Sequence, residues 1–70
     1  MDAREAIMRV LADEEGDIHW TVVWDRALRA GYIDPRVSPG ARDDLIRELA
    51  QLARAGEIVK TSKGTYRRAG

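Results

Sequence analysis

Arg47, Gln51 and Arg54 follow one another at steps of four and three residues, the spacing that places side chains on one face of an α-helix. Each carries planar hydrogen-bonding groups that match a base edge: a guanidinium pairs with guanine through two parallel bonds, and a carboxamide pairs in the same way with adenine. A second set, Lys60, Lys63, Arg67 and Arg68, lies near the end of the sequence with only Glu57 nearby. Cations of this kind neutralise phosphates without reading sequence. Arg36 and Arg42 flank the start of the same helical stretch and complete the set of candidate contacts.

Other residues weigh against this chemistry. Asp43 stands four residues before Arg47, in the orientation that favours an ion pair on a helix, and so would neutralise it. Asp44 and Glu48 flank the same face, and carboxylates there repel phosphates. A partner protein is the alternative occupant of such a face. Catalysis finds little to work with, since His19 is the only histidine and there is no cysteine. His19 reads as a structural or surface residue, and no enzyme and no cofactor are expected. The run Asp13-Glu14-Glu15 with Asp17 falls short of the six or more oxygens that a hard cation takes, so it reads as a solvated helix end and no metal is expected. Trp20 and Trp24, one turn apart, read as core residues rather than a stacking platform.

The elements that must hold these groups fit one domain spanning residues 1–70, because a second would need at least about 50 residues of its own. With 44% apolar residues and no net charge, the composition is that of a folded chain. Without cysteine there is no disulfide to staple it, so patterned packing or a partner must stabilise it. No apolar run is long enough for a membrane span and the start lacks the features of a secretory signal, so a cytoplasmic protein is expected. The neutral total hides a polarity. Residues 1–31 carry four basic residues against seven acidic ones, a balance of −3, and residues 32–70 carry eight against five, a balance of +3.

Ala3, Ala6, Ile7, Val10 and Leu11 recur at helical spacing and predict a helix over residues 2–15 that Gly16 stops. Asp17-Ile18-His19-Trp20 is a very short strand. Thr21 is read as the cap of a second helix, with Val23, Trp24, Ala27 and Leu28 inward, which Gly31 ends. A loop over residues 32–37 follows. Ser38 as cap and Pro39 as first helical residue start a third helix, with Leu45, Ile46, Leu49, Leu52 and Ala53 inward and Gly56 at its end. Residues 57–61 and 65–68 are β-branched or aromatic in part and flank Ser62-Lys63-Gly64, which predicts a hairpin. The expected core is Ile7, Leu11, Trp24, Leu28, Leu45, Leu49, Leu52, Ile58 and Tyr66.

This order, in the α+β class, resembles the winged helix-turn-helix superfamily almost end to end: three helices with a small antiparallel sheet made of a C-terminal hairpin and one short strand. The resemblance rests on Glu5-Ala6-Ile7 with Val10-Leu11, on Ile18-His19-Trp20-Thr21, and on Leu45, Leu49, Leu52 followed by Gly56-Glu57-Ile58, Lys60 and Gly64-Thr65-Tyr66-Arg67. Gly31-Tyr32-Ile33 and Ser38-Pro39 are similar to the HARE-HTH subgroup in their spacing. The resemblance implies binding to double-stranded DNA, with the third helix in the major groove and the hairpin, or wing, on phosphates, as a transcriptional regulator or accessory factor at the nucleoid. A homodimer or a partner protein also fits such domains.

Overall fold

The computed structural model describes residues 1–70, in the order α1 (Ala3–Ala12), β1 (Ile18–His19), α2 (Trp20–Arg29), α3 (Ala41–Arg54), β2 (Ile58–Ser62) and β3 (Thr65–Arg68). Three helices pack with one antiparallel sheet of order β1-β3-β2, the α+β arrangement of a winged helix. No helix is long and apolar enough to cross a membrane.

Local chemistry explains where each helix starts and stops. Asp2 caps α1, its carboxylate accepting the Glu5 N–H at 2.8 Å. α1 ends at Ala12, three residues short of the expected boundary, and Gly16 plays no part because its φ is not positive. The reason lies in Asp13, Glu14 and Glu15, whose carboxylates oppose the negative end of the helix dipole. Glu14 instead pairs with Arg26 of α2. At α2 the cap is His19 rather than Thr21: the imidazole Nδ1 accepts the Thr21 N–H at 3.3 Å.

Gly31 and Gly56 end α2 and α3 with the same closure. Gly31 has φ 76°, its N–H donates to the Leu28 carbonyl, and the next N–H, of Tyr32, reaches back to Ala27; Gly56, with φ 79°, and Glu57 repeat the pattern on Ala53 and Leu52. α3 starts later than Ser38-Pro39 predicts. Those residues form a turn closed by the Ala41 N–H on the Ser38 carbonyl, a turn that proline favours at its second position, and Gly40 becomes the cap without a side-chain bond.

Ala6, Ile7, Val10 and Leu11 of α1 meet Val23 and Ala27 of α2 and Leu45, Leu49 and Leu52 of α3, while Ile18, Ile58 and Tyr66 close the core from the sheet. On α2 the expectation that Trp24 and Leu28 form the core is corrected. The four apolar residues make two adjacent rows, and the small row, Val23 and Ala27, turns inward, leaving Trp24 and Leu28 half-buried. In the sheet, Ile18 pairs with Tyr66 and His19 with Thr65, and Ile58 pairs with Arg68 and Lys60 with Tyr66. β1 is then only two residues long, because Trp20 turns into α2 while its N–H still donates to the Gly64 carbonyl at 2.8 Å.

Candidate nucleic-acid interface

The inner stripe of α3, Leu45, Leu49 and Leu52, leaves Asp43, Arg47, Gln51 and Arg54 exposed on the opposite side. Sequence spacing therefore located this face. The partner of Arg47 differs from expectation: its guanidinium donates to Asp44, three residues back, at 3.2 Å, and not to Asp43. Both positions are within reach on a helix.

One flank of α3 faces the hairpin. Ile46 and Ala50 line a cleft of about 450 Å³ together with His19, Trp20, Lys60, Lys63, Gly64 and Tyr66, and no carboxylate is among its lining residues. At its edge the Arg42 guanidinium lies over the Trp20 ring, 5.7 Å from the centroid, within the range of a cation–π contact. Lys60 enters the cleft because it shares a sheet face with Ile58 and pairs with Tyr66, and Lys63 enters from the turn.

The turn itself is pinned. Gly64 has φ 72°, and a Cβ there would stand 2.9 Å from His19 Nε2 and 3.2 Å from Trp20 Cδ1. Only glycine allows both the left-handed backbone and this approach.

Arg36, Arg67 and Arg68 stand apart both from this cleft and from the outer face of α3. Arg36 is folded onto Asp34, with Nε and Nη2 each 3.1 Å from a carboxylate oxygen and its backbone N–H at 2.9 Å. These bonds hold the Asp34 carboxyl below the ordinary range and the Arg36 guanidinium above its own. Arg68 reaches the other way, donating to the Ala12 carbonyl at 3.2 Å, where a cation complements the end of α1. Arg67 follows the buried Tyr66 and so lies on the outer face of the sheet, exposed.

Ion pairing divides the chain in two. Every arginine before α3 is held by a carboxylate: Arg4 by Glu57, Arg9 by Glu5, Arg26 by Glu14, Arg29 by Asp25 and Arg36 by Asp34. From α3 onward only Arg47 is paired, which leaves Arg42, Arg54, Lys60, Lys63, Arg67 and Arg68 without a salt bridge. The cations without a salt bridge thus gather on α3 and the wing, and α3 also carries Asp43 and Glu48 without one.

Trp20 is the residue that sequence reasoning missed. Its spacing to Trp24 signals a core position, yet it is half-buried at the mouth of the cleft, and its contact with Arg42 joins residues that no local pattern connects. No group of three or more His, Asp or Glu residues is placed to hold a metal ion. Compared with family models, with curated proteins and with solved structures, the chain has no match.

Proposed function

We propose that this domain is a double-stranded-DNA-binding winged-helix protein that belongs to the winged helix-turn-helix superfamily, presents α3 to the major groove and sets its wing on phosphates. The observation that carries the reading is the segregation of unpaired cations onto α3 and the hairpin, with Arg42, Lys60 and Lys63 at a cleft without a carboxylate. Arg47 and Gln51 are the base readers, and Lys60 and Lys63 contribute sequence-independent affinity. The role is regulatory or accessory, by binding rather than catalysis. Titration of a labelled random duplex at two salt concentrations tests it. Affinity should fall steeply at the higher salt, and absence of binding at the lower one overturns the reading.

A second reading, a protein-interaction module, has an observation of its own. Met1 and Val37, the large apolar residues left most exposed at 53% and 79%, both line a separate cleft of about 420 Å³ with Tyr32, Ile33 and Ala41. That reading predicts no duplex affinity at low salt and a partner contact that Val37→Asp abolishes.

A further inference from the structure

The cleft between α3 and the hairpin combines features that a merely solvated surface does not need. Arg42 is exposed and without a salt bridge, yet its guanidinium carbon lies over the Trp20 ring, 5.7 Å from the centroid. The Trp20 indole N–H has no hydrogen-bond partner within the fold and is not a buried, unsatisfied group, so it is open to solvent. Lys60 and Lys63 line the same cleft, together with His19 and Tyr66, and its apolar wall of Ile46, Leu49 and Ala50 screens charge less than water does. Trp20 itself is positioned twice, by its backbone bond to Gly64 and by the close packing of the turn against its ring.

We infer that Trp20 and Arg42 act as one unit that seats a single backbone phosphate of the duplex in this cleft. The inference rests on the DNA reading above and adds to it the residue pair that fixes how α3 and the wing straddle one strand. The guanidinium offers its planar fork, the indole its N–H, and the two lysines close the shell from the wing side. Holding the fork in place before binding reduces the side-chain ordering that binding otherwise requires. Trp20 is therefore a positioning residue as well as a donor, since its ring sets where Arg42 stands.

A double-mutant cycle on the full chain tests this, with Arg42→Ala, Trp20→Leu and the double variant titrated with random duplex over a range of salt and their folding checked by circular dichroism. Each single change should weaken binding about tenfold, the double should be little worse than either, and the slope of log affinity against log salt should drop by roughly 0.9, the value for one phosphate. Additive effects, or an Arg42→Ala protein that binds like wild type, overturn the inference while leaving the DNA reading intact. A wild type with no duplex affinity overturns both. If Trp20→Leu does not fold, Arg42→Lys decides: it keeps the charge and loses the planar fork, so a several-fold loss supports the seat and full wild-type affinity overturns it.

Discussion

Gly64 of the hairpin turn lies against the His19 ring, so closely that any side chain at position 64 would collide with the imidazole Nε2. The wing is thereby fastened to the residue that caps α2. Gly64→Ala adds this collision to a left-handed backbone that costs an L-residue about 1 to 2 kcal/mol. Urea unfolding should show a loss at least that large, with a weaker duplex affinity because the wing moves. Wild-type stability in this variant would mean that the turn is free of α2.

Leu49 is fully buried at the centre of the α3 stripe. Leu49→Ala is expected to lower stability by about 2 to 5 kcal/mol, enough to unfold a domain of this size in large part. Thermal melting followed by circular dichroism measures it, and a melting temperature within a degree or two of wild type would contradict the orientation of α3.

Arg4 of α1 and Glu57 at the hairpin's start form a bidentate pair, each bond 2.5 Å long. The guanidinium's hydrogen bonds hold the Glu57 carboxyl below its ordinary range. A lowered folded pKa contributes stability that is complete above the ordinary carboxylate range and is lost as pH falls through the lowered value. Denaturation at a series of pH values should therefore find wild type more stable than Glu57→Gln at neutral pH, with the two curves converging in acid. A constant gap between them would show that the pair makes no contribution through ionisation.

Because Asp44 rather than Asp43 holds Arg47, the two aspartates should behave differently. Asp44→Ala frees the guanidinium and is expected to tighten binding and sharpen preference at one base pair. Asp43→Ala removes repulsion from phosphates without altering preference. Arg47→Ala should relax that same base pair and cost about 1 to 3 kcal/mol on the preferred site. Competition assays with single-base-pair variants of a selected site separate these outcomes.

The wing cations should also divide. Lys60→Ala with Lys63→Ala is expected to weaken every duplex alike and to reduce the salt slope by roughly 0.9 for each phosphate no longer neutralised. Arg68→Ala should leave the slope unchanged and lower stability slightly, because its partner is the Ala12 carbonyl. An equal effect of all three on the slope would place Arg68 on the DNA as well.

The parts of the fold that were readable in the sequence are those governed by one residue's own physics. Gly31 and Gly56 stop helices because their backbones turn left-handed, and the hairpin follows from β-branched residues around a glycine turn. The misreadings arise where neighbours decide. Ser38-Pro39 has the composition of a helix start, but Gly40 after it lets the pair close a turn first. Val23 and Ala27 compete on equal terms with Trp24 and Leu28 until α1 and α3 pack against one row. At the candidate interface, the exposed face of α3 was legible from its period alone, whereas the Trp20 and Arg42 contact and the retreat of Arg68 toward α1 exist only once the sheet brings distant segments together.

The strand order β1-β3-β2 leaves the outer side of β2 without a neighbour. An open edge of this kind is a template on which another chain can add a strand, the first step of sheet-mediated aggregation. Two features of β2 oppose it: the register slips between Lys60 and Ser62, which breaks the regular ladder, and Lys60 would bring its charge against that of an incoming copy. Lys60 thus guards solubility at the same position where it lines the cleft. A variant that neutralises it should be handled dilute, since its weaker grip on an anion comes with a greater tendency to polymerise edge to edge.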